Sequence, residues 1–464
     1  MSNQTFTLRS AMPVSATELY DWHSRPAAFS RLAPPWEAVK IIEKKGAFGD
    51  GHTVTLWASL LGPIGKRWVA ELYDVIPGKQ FRDRQLTGPF ASWNHTHTMI
   101  PDGPTRSYLD DSVEYRVPFG AIGTLFGGGL VQSKLAAMFA YRHALTSSDL
   151  RRHNQFADRP RLKIVITGSR GLIGNELADF LSSGGHEVIR FVRGVVKPSA
   201  FDDGTKSVTW NPEELVDPAL LEGVDAIIHL AGDGIADGRW SAAKKKRILR
   251  SRTVPTRKLA ESIATMTRKP KVFLSASAIG IYGDRGDQEL DETSPDGTGF
   301  LADVCQQWEV ATEPAKDAGV RVVNLRTGVV QTPRGGALGK QLPAFKTGAG
   351  AVLGSGKQWV SWITINDLIG AFHHCMMTDT LHGPVNIVAP NPVTNRDYGR
   401  SLATVLGRPY LFTIPAPVLR TLFGEMADAA LLGSAKIQPR KLLESGFHFD
   451  HATLESGLRF VLGR

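Results

Sequence analysis

Apolar and polar positions alternate through much of the first 150 residues. In "ASWNHTHTM", Trp93, His95, His97 and Met99 share one face of an extended segment, with polar residues between them. "PDGPT" (Pro101 to Thr105) supplies turn residues. "YLDDSVEYRV" then alternates again, with Leu109, Val113, Tyr115 and Val117 on one face, so the pair predicts an antiparallel hairpin. Upstream, "ATELYDWHSRPAAFSRLAPPW" predicts short helices broken by proline. Downstream, Val131, Leu135, Met138, Phe139 and Leu145 fall near helical spacing. An antiparallel sheet curved around a long helix accommodates this order. His95 and His97 point the same way, as a metal pair would, but no third ligand is evident. Packing in a core or pocket is the expectation, and no metal site is expected.

From Lys163 the rhythm changes. "KIVIT", "EVIRFV", "DAIIHLAG", "KVFLSAS" and "VRVVNLRTG" are short apolar runs, most of them separated by helical stretches. Continuous apolar strands are buried on both faces, as in a parallel sheet covered by helices, so a doubly wound α/β domain is predicted. Between the two rhythms, "RRHNQFADRP" (Arg151 to Pro160) is polar, ends in proline and reads as a linker. The expected layout is an α+β domain over 1–150, a linker over 151–160, and an α/β domain over 161–464 whose small C-terminal lobe lies mainly in 331–464.

Length supports more than one core, since 464 residues exceed an ordinary single domain. A hydrophobic fraction of 42% and a charged fraction of 21% are those of a globular chain. No apolar run approaches the roughly 18–20 residues of a membrane span. "MSNQTFTLRS" lacks the basic and apolar regions of a secretory signal. Cys305 and Cys375 are the only cysteines, too few for a disulfide framework or a cysteine metal cage, which fits a reducing cytoplasm. The net charge of +9 is concentrated in "RWSAAKKKRILRSRTVPTRK" (Arg239 to Lys258), with nine basic residues and no acid. A solvated helix face and a phosphate-bearing small molecule both account for this run. Nucleic acid is not the expected partner, because interleaved aromatics are missing.

The most informative stretch is "ITGSRGLIGNELADFL" (Ile166 to Leu181), a strand turning sharply into a helix. Gly168 permits the turn, Gly171 lets backbone approach a pyrophosphate, and Gly174 lets helix and strand pack closely. The helix N-terminus offers free N–H groups and a positive dipole. The next strand ends "IRFVRG", with Arg193 where an acid would bind a ribose 2′-hydroxyl and Arg190 three residues earlier. Arginine there would pair with a 2′-phosphate, so NADP(H) is the expected cofactor.

Two resemblances follow. Residues 5–148 resemble the START-like, polyketide-cyclase-type (SRPBCC) helix-grip domains, which hold an apolar ligand between sheet and helix. "TGSRGLIG", "HLAGDGI", "SASAIGIYG" and "LRTGVV" come in the order of the extended short-chain dehydrogenase/reductases. "RW…SR…T" (Arg239, Trp240, Ser251, Arg252, Thr256), "GFLADVCQQWE", "GSGKQWVSWITINDL", "VAPNPVTN" and "IQPRKLLESGF" resemble their atypical, epimerase-like (formerly cell-division-inhibitor-like) branch. This implies a Rossmann core binding NADP(H) and a C-terminal substrate lobe. By position, Gly168, Ser169, Arg170, Gly171, Leu172, Ile173 and Gly174 would hold the pyrophosphate, and Val192 and Arg193 the adenosine ribose phosphate. Leu230, Ala231 and Gly232 would line the cofactor, Arg252 and Arg247 would face it, and Val330 would pack near the nicotinamide.

One departure matters. The superfamily pairs a serine with Tyr-x-x-x-Lys, the tyrosine moving a proton as hydride moves. Here Leu301 falls at the tyrosine position and Cys305 at the lysine position, with no lysine between Lys271 and Lys316. Ser277 and Tyr282 are the catalytic candidates, with Cys305, Glu309 or a water as other proton donors. In the lobe, Gln358, Trp359 and Trp362 are candidates to line a substrate cleft, one tryptophan packing and the other facing the pocket. The glycine-rich stretch Arg334 to Gly354 is a candidate lid or an ordinary long loop. The expectation is an NADP(H)-dependent oxidoreductase or epimerase-like enzyme acting on a small molecule. The alternative is a non-catalytic NADP(H) sensor whose N-terminal domain binds an apolar ligand.

Overall fold

In the computed structural model, which describes residues 3–58, 65–118, 120–196, 203–236 and 238–464, two sheets organise the chain. The first is antiparallel and seven-stranded. Its spatial order is Gln4–Met12, Ser107–Arg116, Ser92–Pro101, Gln80–Thr87, Lys66–Ile76, Thr53–Ala58 and Val39–Lys45. The expected hairpin is present, with Trp93 opposite Tyr115 and Met99 opposite Leu109. Its inward face packs Trp93, Val113 and Tyr115 against Leu135, Met138 and Phe139 of the helix Gly120–Asn154, giving the helix-grip architecture. Asp111 also lies on the inward face, where the alternation of Leu109 and Val113 requires it.

The second sheet has seven parallel strands. Their order is Thr205–Thr209, Glu187–Val192, Lys163–Thr167, Ala226–His229, Val272–Ala278, Arg321–Thr327 and Gly383–Ile387. The strand order reverses between Lys163–Thr167 and Ala226–His229, which opens a crevice at their carboxyl ends. The expected Rossmann arrangement is therefore present. Its core joins Ile164, Ile166, Ile228 and Leu274 to Phe180 and Phe372 of the covering helices. A smaller lobe packs Trp362 against Leu338, Leu402 and Leu458. Within the glycine-rich stretch, Gly336–Lys346 is a helix. Arg334 ties its start to Glu176 and to the Ala33 carbonyl, so the segment is anchored.

The long helix is shared by both halves. It runs through Asn154 into the segment read as a linker, and Phe156 just beyond it enters the Rossmann core. Charge seals the seam. Arg31 makes a two-pronged pair with Asp149, at 2.8 and 3.0 Å, and its third nitrogen lies 3.3 Å from Glu176 and from Asn366. One turn along, Arg152 pairs with Asp367 and Asp450, both at 2.7 Å. Glu176 sits on the helix that follows the glycine turn, so the N-terminal half is bonded to that helix.

Two outcomes follow. Arg31→Met leaves Asp149 buried without its cation and should cost about 3–5 kcal/mol, read as a lower urea midpoint. Burial also holds His186 and His229 down to about 3 and His374 to about 4, below the ordinary 6.5. The unfolded chain takes up these protons near 6.5 and the folded one does not, so stability should fall as pH drops from 6.5 toward 4. A urea midpoint that is flat across that window would contradict this.

Candidate functional site

At the mouth of the crevice, backbone meets backbone. Gly168 has φ +67°, and a Cβ there would lie 2.7 Å from the carbonyl carbon and oxygen of Leu230. A Cβ on Gly174 would lie 2.4 Å from the Gly168 carbonyl oxygen. Only glycine lets the turn, the helix and the Leu230–Gly232 segment approach this closely. Gly171 caps the helix Leu172–Ser183 without a side-chain bond, and the first intrahelical bond runs from Asn175 N–H to the Gly171 carbonyl. The amides of Leu172 and Ile173 precede that bond and lack intrahelical partners. Ser169 Oγ is buried and unpartnered, whereas Arg170 is exposed. Free amides, a positive helix end and an unmet hydroxyl suit an anionic diphosphate.

The two arginines of the second strand do different things. Arg190 is buried, and its guanidinium bonds the Ser169 carbonyl at 2.9 Å, Thr205 Oγ1 at 2.9 Å, Asn175 at 3.2 Å and Asp179 at 3.2 Å. It props the glycine turn from behind. Arg193, after buried Val192, is exposed and borders a cleft with Trp210, Asn211 and Glu213.

The basic run is largely engaged within the chain. Lys244 and Arg247 both pair with Asp233, at 3.0 and 2.8 Å, and Lys245 pairs with Glu425. Arg252 bonds the Asp233 carbonyl at 3.0 Å, lies over the Trp308 ring, and would meet a Cβ on Gly232 at 3.5 Å. Trp308 in turn donates to Thr256 at 2.9 Å, and Ser251 accepts the Asp233 N–H. The "SR…T" spacing thus braces the loop after Ala226–His229. Arg252 sits against that loop, while Arg247 points outward with its side chain 62% exposed.

Ser277, at the end of the strand Val272–Ala278, donates to Glu309 Oε1 at 2.6 Å. Arg326 grips both Glu309 oxygens at 2.9 Å and donates to the Tyr282 hydroxyl at 3.1 Å. Tyr282 donates onward to Asn386 at 2.7 Å and is completely buried, so its hydroxyl is engaged as donor and acceptor. Burial raises its pKa, with Arg326 opposing. Cys305 lies beside Gly280 with Leu301, and burial, helped by the Glu309 charge, pushes its thiol up to about 12. Arg326 lies inside the "LRTGVV" motif but is not singled out there as a site residue, and Asn386 carries no motif signal. They come from two different strands and meet Tyr282 only in the fold.

In the lobe, Gln358 is buried and donates to the Leu353 and Leu431 carbonyls. Trp362 is fully packed and donates to the Asn391 carbonyl. Trp359 is half-buried, donates to Asp287 at 2.8 Å, and carries Lys436 over its ring. Val330 lies on the short strand Val329–Gln331, paired with Trp362–Thr364, and packs on the Rossmann core.

A glycine turn at a strand-order reversal, a serine at the end of the fifth strand in sequence and a helix-grip unit in front define a short-chain dehydrogenase/reductase of the extended type, fused to an SRPBCC domain. Residues 164–387 match the NAD dependent epimerase/dehydratase family, 414–461 a domain of unknown function (DUF1731), and 12–139 the polyketide cyclase / dehydrase and lipid transport family. An epimerase family protein of Mycobacterium bovis is 40% identical over 302 residues, covering 65% of this chain and 98% of the relative. The human epimerase family protein SDR39U1 is 32% identical over 304 residues, covering 65% of this chain and 100% of the relative. Its isoform 2, solved with NADPH, has a TM-score of 0.59 at 29% identity, covering 65% of this chain and 99% of that one. A nucleoside-diphosphate sugar epimerase from Corynebacterium glutamicum matches both halves, with a TM-score of 0.78 at 34% identity, covering 99% of this chain and 90% of that one. The chain belongs to this epimerase family, the atypical branch of the short-chain dehydrogenase/reductases. Among the described residues, no helix is long and apolar enough to cross a membrane.

Gly168→Ala places a Cβ against the Leu230 backbone at an unfavourable φ and should cost about 1–3 kcal/mol in strain alone, read from denaturant unfolding. With its thiol pKa near 12, Cys305 should resist iodoacetamide in the native protein at pH 8 and react only in urea. Rapid native labelling, located by peptide mass, would contradict the burial.

Proposed function

We propose that the crevice binds NADP(H) and that the protein is an oxidoreductase or epimerase-like enzyme acting on a small carbonyl or alcohol substrate. The observation that carries the cofactor choice is Arg193, exposed at the end of the second Rossmann strand where an acid would select a free 2′-hydroxyl. The NADPH in the human relative supports it. The free amides of the glycine turn and Ser169 Oγ would hold the pyrophosphate, and Arg252 would flank the cofactor at Gly232. Bound NADP(H) would supply a hydride donor or acceptor.

Ser277 is the residue proposed to touch substrate. Its proton is directed to Glu309, so its lone pairs remain to accept a hydrogen bond and would orient a substrate hydroxyl. Glu309, held by both arms of Arg326, fixes the serine rotamer. A water would move the proton, since Tyr282 is walled in and the Cys305 thiol stays protonated at neutral pH. Two buried, unpaired thiols support a reducing cytoplasmic location.

A second reading is a non-catalytic NADP(H)-binding module whose helix-grip half presents an apolar ligand. It is favoured by Leu301 and Cys305 standing where the proton-transfer pair belongs. The two readings share the cofactor and differ in turnover.

Titration of NADPH and NADH by cofactor fluorescence is the first test. A charge-assisted phosphate contact worth about 1.5–3 kcal/mol predicts NADPH binding tighter by one to two orders of magnitude, with Arg193→Ala erasing the difference. Equal affinities in the unaltered protein would reject the NADP(H) assignment. In a screen of carbonyl and alcohol substrates, turnover lost in Ser277→Ala with NADPH binding retained supports the enzyme. Absence of turnover across the screen favours the sensor.

A further inference from the structure

Inside the helix-grip sheet, four titratable side chains from three adjacent strands share one face. Asp83 stands directly opposite His95, and His97 directly opposite Asp111. The two imidazoles, with ring centroids 3.7 Å apart, lie between the two carboxylates. On one side, Asp83 Oδ2 is 3.0 Å from His95 Nδ1 and 3.5 Å from His97 Nε2. On the other, Asp111 Oδ1 is 3.4 Å from His95 Nε2 and 2.8 Å from His97 Nδ1.

The second side is unusual. His95 Nε2, His97 Nδ1 and Asp111 Oδ1 are all buried, and none makes an aligned hydrogen bond. Asp83 is placed to take the far N–H of each ring, so both inward nitrogens can turn lone pairs toward a cation that displaces their protons. His95 Nε2 and His97 Nδ1 thus both face Asp111 Oδ1. Two ligands at about 2.0–2.1 Å from a tetrahedral ion lie roughly 3.3 Å apart, against 3.4 Å for His95 and 2.8 Å for His97 from Asp111 Oδ1.

We propose that His95, His97 and Asp111 form a three-ligand site for a divalent transition-metal ion, zinc first by donor set, with its fourth position open. Asp83 behind the rings, held by the Trp93 indole N–H at 3.2 Å, is a positioning residue of the carboxylate–histidine–metal kind. His143 holds the other oxygen of Asp111 at 2.9 Å and is itself anchored on Ser10 at 2.8 Å. Arg142 of the long helix feels both carboxylates but forms no ion pair with either. The His97 side chain keeps 13% of its exposure, which gives the ion a way in. A second buried trio, His153, His186 and His373, fits a metal less well. Leu162 N–H donates to His186 Nδ1, so the proton of that neutral ring sits on Nε2 and blocks it as a ligand.

The test uses the full-length chain without a histidine tag, stripped by chelator and titrated with Zn²⁺. Expected are one equivalent per chain by elemental analysis, loss of that equivalent in Asp111→Asn, and affinity about 10–100-fold weaker in Asp83→Asn. Should Asp111→Asn fail to fold, diethylpyrocarbonate labelling of the unaltered protein decides, with zinc expected to protect His97. No stoichiometric uptake at micromolar zinc, uptake unchanged in Asp111→Asn, or His97 labelling indifferent to zinc would each overturn the site and leave a cluster neutralised by protons alone.

Discussion

The crevice depends on two backbones touching. Gly168 approaches Leu230 so closely that no side chain fits between them, and Gly174 stands equally close to Gly168. That contact fixes where the helix Leu172–Ser183 begins, and hence where its unpaired amides lie. It also brings the loop Leu230–Gly232 beside the turn, so that a dinucleotide would meet main chain on both sides. Arg190 is the hidden partner of this arrangement. It spends its guanidinium on the turn's own carbonyl and three neighbouring side chains, holding the loop in place before any ligand arrives.

The polar side chains at the end of the fifth Rossmann strand are organised around a salt bridge between Arg326 and Glu309. By motif spacing, Leu301 and the buried Cys305 are expected where the superfamily keeps a titratable tyrosine and a lysine. The polar groups nearby are satisfied by one another: Ser277 by Glu309, Glu309 by Arg326, Tyr282 by Arg326 and Asn386. A closed network of this kind holds side chains in fixed orientations and stores few spare protons. Ser277 differs from Tyr282 in that only its proton is committed, so it alone can still accept a bond from a ligand.

The two halves are joined by more than a tether. Arg31 from the first half, Asp149 from the long helix and Glu176 from the helix behind the glycine turn meet with almost no solvent between them. Arg334, at the start of the lobe, reaches the same Glu176. The elements that would feel a ligand in the helix-grip half and a dinucleotide in the crevice therefore share one set of buried charges. Such charges hold a single geometry because each is costly to leave unpaired.

Local pattern carried much of this. Alternation of Trp93, His95, His97 and Met99, the apolar runs after Lys163 and the glycine spacing at 168, 171 and 174 each follow from periodicity or from backbone conformations only glycine adopts. Those features were legible because neighbours in sequence are neighbours in space. The partners of each polar group were not. Asp111 meets His97 across a strand pair, Arg326 meets Glu309 from a strand onto a helix, and Arg31 meets Asp149 over more than a hundred residues. Arg190 and Arg193 look alike as letters, yet the pleat turned one inward and left the other in solvent. Sequence by itself determined which elements form and where backbone must pass close. Tertiary structure decided which charges face one another, because desolvation and pairing act through space between segments the chain order keeps apart.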